Sequence, residues 1–333
     1  MNIRPISLLP LLLLVLSVSA WADPGGVDGA GFSNDNRYLV TIGGERTVRL
    51  HDGNTGKLLR TVRAPGEAST WFSFSPDSGW EEPNNLYSLS VAGDVAVCCS
   101  SDDNIFWWKL PSLELIATGS STYGAGAMAV SANGEKAGCI STSTRYLDSS
   151  IQLLELVEGS VHGLDLPDLP PPDSSSSYGA PQLSPDGNWA VAWTGDGYQL
   201  WDISSRIPVS VSAENIQNPI LGRFHLYDFG SSGLDVYTHG SLQSPIRTIS
   251  CRNMVWAQVS HDETRLICRT AEGLEVWDLT HEGPPVEWRV PAERLTVSPD
   301  GRRALVWGEK TLTAFDIDTR KALFKLPLTG KLN

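Results

Sequence analysis

"SPDGNWAVAWTGDGYQLWD", Ser184–Asp202, is the stretch on which the fold turns. It opens on a tight-turn signature, Ser-Pro-Asp-Gly, in which Asp accepts local backbone bonds and Gly takes positive φ. A short apolar run, "WAVAW", follows. The stretch closes on a second run ending in an aromatic and an acid, "QLWD". Runs this short, cut by Gly, Asn, Asp, Ser and Pro, indicate β-strands rather than helices. "SHDETRLICRTAEGLEVWD", Ser260–Asp278, is a second copy.

Working outward, the turn marker recurs as "SNDN" at Ser33, "SVAGD" at Ser90, "SANG" at Ser131 and "SPDG" at Ser298. The strand marker recurs as "RLHD" to Asp52, "FWWK" to Lys109, "LLEL" to Leu156 and "TAFD" to Asp316. The two markers advance together. Ser260 to Ser298 and Trp277 to Phe315 are each 38 residues, while Ser184 to Ser260 and Trp201 to Trp277 are each 76, twice that period. A hidden unit therefore lies between, with "LDVYTH", Leu234–His239, where its third strand should fall. The sum is seven units, each reading strand, tight turn, strand, loop, strand, turn and a fourth strand such as "KLLRTV" or "IPVSVS".

The pattern "SPDG…VW(D)…TGK" resembles the WD40 repeat family over nearly the whole chain after residue 22. The resemblance implies an all-β fold, a seven-bladed β-propeller of four-stranded antiparallel blades. No Gly-His dipeptide precedes the first strands, so the family's His–Asp–Trp polar network is incomplete here. The expected blades occupy approximately 27–64, 86–119, 126–160, 179–214, 217–250, 254–290 and 293–328, with insertions at 65–85, 141–150 and 161–178. Because residue 27 opens a first strand and "ALFKLPL" is a fourth, blades of contiguous sequence are expected.

Residues 1–22 are read as a cleavable signal peptide and 23–333 as a single propeller. Arg4 supplies the positive start, "LLPLLLLVLSV" the apolar core, and "AWA" at Ala20–Ala22 the small residues of a cleavage site. Cleavage after Ala20 competes. The apolar run is too short to span a membrane comfortably. Export is therefore expected, to the periplasm or the extracellular space, with no membrane span after signal removal. The formal charge of −13 becomes more negative once Arg4 is lost. An acidic surface repels nucleic acid and anionic lipid, so neither is expected as a partner.

Cys98, Cys139 and Cys268 align at one second-strand position, where cysteine serves as a compact apolar residue packed between blades. Export also permits disulfides. Successive strand residues point to opposite faces, so Cys99 and Cys139 could face one another between blades 2 and 3. No C-x-x-C-H and no zinc-site spacing occurs, and no metal or cofactor is expected. The tryptophans at the repeat positions, Trp108, Trp201 and Trp277, and Trp193 and Trp307, are assigned structural roles.

The strands expected to line the channel read "GAGFS", "YSLS", "AMAVS", "PQLS", "AQVS" and "LTVS". They offer Gln182 and Gln258 but no ring of His, Asp, Glu or Arg. The six histidines are scattered and read as solvated loop residues. No catalytic motif is present, and a non-enzymatic role is expected. The alternative is an enzyme or ligand sensor, lactonase-like or quinone-dependent dehydrogenase-like, using the channel mouth.

The insertions all belong to one face, called the top, where second–third loops and blade connections lie. Loops on a rigid scaffold are where binding is grafted. The segment "WFSFSPDSGWEEP", Trp71–Pro83, borrows the turn letters but breaks the period, since "SVAGD" at Ser90 is the turn that restores it. Its Trp71, Phe72, Phe74, Trp80, Glu81 and Glu82, with Arg145, Tyr146 and Asp148 of the second insertion, form the expected contact set. The function they imply is a protein-interaction scaffold for a partner protein in the cell envelope. The chain would act as a monomer or as a subunit of a complex.

Overall fold

The structure, a computed structural model, describes residues 27–43, 46–66, 86–100, 104–120, 125–142, 149–164, 182–193, 198–209, 216, 218–230, 233–251, 254–270, 272–281, 283–290, 294–307 and 310–328. These residues form seven four-stranded antiparallel sheets, each built from four consecutive strands. Blade 1 runs from its first strand (Val27–Phe32) to its fourth (Leu58–Arg63), and blade 7 from Arg294–Val297 to Lys321–Pro327. No strand is exchanged between them. The unit with decayed markers is blade 5, and its third strand is Leu234–Thr238, where the period placed it. Among the described residues, no helix is long and apolar enough to cross a membrane.

Each inner strand is packed on both faces, which explains its near-continuous apolar reading. The second strand of blade 2 (Val95–Ser100) is buried along its whole length. Alternation sends neighbouring residues to different seams. Trp108 and Cys98 join the cluster shared with blade 1, while Trp107 and Cys99 join the cluster shared with blade 3. "FWWK" thus places one tryptophan in each of two seams. Seven apolar clusters fill the seven seams, each drawing on two neighbouring blades. Burying a side chain of this size contributes roughly 1.5–3 kcal/mol. Fourth strands lie at the rim and are mostly exposed, as in Leu58–Arg63.

Blade 2 departs from the marker reading. Its first strand continues past Ser90 to Ala92, and a two-residue turn at Gly93 and Asp94 returns the chain. Gly93 takes φ +57°, as such short hairpins require. Ser90 is therefore a strand residue here, whereas Ser33, Ser131, Ser184, Ser260 and Ser298 all open turns.

Candidate functional site

The five Ser-x-Asp/Asn turns, each joining a first strand to a second, gather on one face, the lower. Each serine is almost wholly buried. Its hydroxyl donates to the side-chain oxygen two residues on: Asp35 and Asn133 at 2.7 Å, Asp186, Asp262 and Asp300 at 2.6 Å. The serine Oγ in turn accepts the backbone N–H five residues on, from Tyr38, Lys136, Trp189, Arg265 and Arg303, at 2.9–3.1 Å. A hydroxyl both donates and accepts, which is why serine holds this place. Asp35 and Asp262 are both held below the usual carboxylate range. Burial, the largest influence on each, opposes that direction and is outweighed by the hydrogen bonds they accept.

The residue five after the serine starts the second strand and reaches across the seam. Lys136 Nζ donates to Gly187 O at 3.1 Å, blade 3 to blade 4. Arg265 Nη1 donates to Gly301 O at 3.5 Å and to Asp318 at 2.7 Å, blade 6 to blade 7. Arg303 closes blade 7 on blade 1: Nη1 donates to Asn36 O at 2.8 Å and Gly53 O at 2.5 Å, and Nη2 to Asn54 Oδ1 at 2.7 Å. In three seams the acceptor is thus the carbonyl of the left-handed residue in the next turn: Gly187, Gly301 or Asn36. Trp189, at the same position of blade 4, instead stacks on buried His239 of blade 5, with ring centroids 4.6 Å apart.

The blade 5–6 seam replaces backbone with side chain. Blade 5 turns at Gly222–Phe224 without a serine, and His225 opens its second strand. Blade 6 carries Glu263, at φ +55°, where blades 3, 4 and 7 carry glycine. The Glu263 carboxylate, 6% exposed, crosses to blade 5. Its Oε2 accepts from His225 Nδ1 at 2.6 Å and from the Tyr227 hydroxyl at 2.9 Å. Its Oε1 accepts from the backbone N–H of Phe224 at 2.7 Å and of His225 at 3.3 Å. A Cβ on Gly222 would lie 2.2 Å from that oxygen, so only glycine admits the carboxylate. Burial, and then the Glu263 charge, push the Tyr227 hydroxyl far above its usual range.

Among the described residues, two cavities stand out on this face. One of about 380 Å³ lies over the blade 5–6 seam, lined by Phe224, Tyr227, Ile246, Arg247 and Glu263, with Phe224 and Ile246 more than half exposed. The other, about 480 Å³, is the channel mouth, lined by Asn34, Asn133, Asp186, Arg223 and His261. Its rim is cross-tied: Asn34 Nδ2 donates to Ala132 O at 3.0 Å, Ala132 N to Pro185 O at 2.5 Å, and His261 N to Pro299 O at 2.7 Å. The two inner-strand glutamines are tied as well. Gln182 Nε2 donates to Pro219 O at 2.6 Å and its Oε1 accepts from Leu221 N at 3.0 Å, while Gln258 Nε2 donates to Val297 O at 3.3 Å.

The histidines correct the sequence reading. His51 and His239 are buried rather than solvated. His51 is neutral and bonded at both nitrogens, to Gly56 O and to Thr41 Oγ1, each at 3.2 Å. Burial, the main cause, lowers its pKa to about 4. Its third-strand side chain faces a seam, so it follows the alternation rather than its polarity. Trp71, Phe72, Phe74, Trp80, Glu81, Glu82, Arg145, Tyr146 and Asp148 lie outside the described residues, as does the side chain of Cys139 and with it the Cys99–Cys139 pair. Glu263 was missed by sequence reasoning. Its signal was a charged residue in a turn position that three sister copies give to glycine.

The chain is similar in structure to the β-propeller domain of Cps50 (Swd1) from Myceliophteria thermophila. The identity is 15%, covering 92% of this chain and 98% of that one, with a TM-score of 0.57. It is likewise similar to the computationally designed Ika8 protein, at 15% identity over 92% of this chain and 90% of that one, TM-score 0.59. At this identity the likeness shows the seven-bladed propeller fold and nothing finer. No family model matches the chain, and no curated protein matches it.

Proposed function

We propose that this chain is an exported, non-catalytic propeller of WD40-like repeats that holds a partner protein of the cell envelope on its top face. The supporting observation is how the inner strands use their amides. Gln182 and Gln258 both bond to the backbone of the next blade, so they serve the ring rather than a ligand. The turn serines and aspartates are engaged too, each serine with the aspartate of its own turn. A disc whose lower polar groups hold blade to blade is a rigid scaffold, and binding falls to the loops of the opposite face. For that face the sequence offers Trp71, Phe72, Phe74, Trp80, Glu81 and Glu82, aromatic anchors among acids, and Arg145, Tyr146 and Asp148 of the second insertion. Aromatic residues carry most of the binding energy in protein interfaces. Affinity capture from envelope extract tests this with wild type and a Trp71→Ala, Phe72→Ala, Trp80→Ala variant. Loss of specific partners from the folded variant is expected. Equal recovery of the same partners by both proteins would sink the site.

A further inference from the structure

Two thiols meet at the seam between blades 5 and 6. Cys251 follows the fourth strand of blade 5 (Arg247–Ile249), in the connection to blade 6. Cys268 lies in the second strand of blade 6 (Arg265–Thr270). Both belong to one apolar cluster with Leu234, Ile249 and Leu266, and both are buried. Within that cluster each thiol is the largest influence on the proton affinity of the other, and the Cys251 thiol donates to Ile249 O at 3.4 Å. Cys98 and Cys99 have no such arrangement with each other, because strand alternation sends them to different seams.

We propose that Cys251 and Cys268 form a disulfide, stapling the blade 5–6 connection to the second strand of blade 6. The oxidant is a disulfide donor, either a small molecule or a protein. That it is met outside the cytoplasm rests on the export reading; the pairing itself does not. The thiolate of one of the two cysteines attacks the donor disulfide and expels one donor thiol, leaving a mixed disulfide. The sulfur of the other, its proton released, attacks the first and expels the second donor thiol. Two protein S–H bonds and one donor S–S bond are lost; one protein S–S bond and two donor S–H bonds form. Two electrons pass to the donor. Both sulfurs are covered in the closed disc, so exchange precedes sealing of the seam.

The test refolds the reduced full chain in a glutathione redox buffer, alkylates it under denaturing conditions and digests it with trypsin without reduction. The expected product is Thr248–Arg252 linked to Leu266–Arg269. Adding reductant should lower the thermal midpoint by roughly 5 °C, with no response in a Cys251→Ala, Cys268→Ala variant. Alkyl groups on both cysteines of the refolded wild type, or either one linked to a different cysteine, overturn the proposal. The same map on chain recovered from whole cells separates the two readings. A link formed on refolding but missing in cells leaves the site standing and removes the export reading.

Discussion

The seam between blades 7 and 1 and the seam between blades 5 and 6 solve one problem with opposite chemistry. In both, the first residue of a second strand meets the left-handed residue of the next turn. At the first seam Arg303 donates to the backbone of Asn36 and Gly53 and to Asn54. At the second, His225 donates to the side chain of Glu263, which also gathers Tyr227 and two backbone N–H groups. A latch aimed at a carbonyl tolerates any residue in the acceptor turn. A latch aimed at a side chain fixes the identity of Glu263, and fixes Gly222 opposite it. The repeat therefore conserves a geometry, and individual seams differ in how many residues they commit to it.

The largest effect that would break this contrast is at Glu263. Glu263→Ala strands four donors in a covered site and should cost about 3 kcal/mol in urea unfolding. Glu263→Gly loses the same bonds but relieves the left-handed backbone, and should be about 1 kcal/mol milder than Ala. An alanine variant no less stable than the glycine variant would remove the strain from the account.

Acid separates the two seams next. His51 adjoins the turn that Arg303 grips, and its native pKa of about 4 lies below the unfolded 6.5. Between these values the unfolded chain binds a proton that the native chain refuses. Stability is thus lost as pH falls from 6.5 towards 4, by up to about 3 kcal/mol from this group. His51→Gln should reduce the pH slope across that window by up to one proton, measured by urea midpoints at stepped pH. An unchanged slope would show that His51 is not the sensor. His239 and His261, also lowered chiefly by burial, should retain the remaining slope.

The smallest effect compares latches of one kind. Arg303→Met should cost about 2 kcal/mol and Lys136→Met about 1 kcal/mol or less, since Arg303 makes three bonds where Lys136 makes one. Equal losses would mean that the number of bonds does not set the strength of a seam.

The architecture was legible because period is a property of the whole chain. Turn and strand markers 38 residues apart carried seven blades even across blade 5, whose turn serine is missing. The site was less legible because seam chemistry joins residues of neighbouring units. "SHDE" looked like a minor variant of "SPDG", and nothing local to Glu263 names His225 or Tyr227 as partners. His51 misled for a related reason: polarity suggested water, while its place on the strand dictated a seam. The Cys251–Cys268 contact escaped because Cys251 lies in a connection, outside the strand positions that the repeat aligns. Only Gly222, small where a turn serine belongs, hinted that a neighbour needed the room.

Contiguous blades carry one consequence for the order of folding. The other lower-face latches join residues 36 to 53 apart in the chain, but Arg303 and Asn36 are 267 apart. Loop-closure entropy makes that one contact about 2 kcal/mol harder to form than its sisters. Six seams can therefore zip between chain neighbours while the seventh waits for the ends of an open arc to meet. A circular permutant that joins blade 7 to blade 1 and opens the ring elsewhere would move the slow step to the newly cut seam and leave every sheet whole.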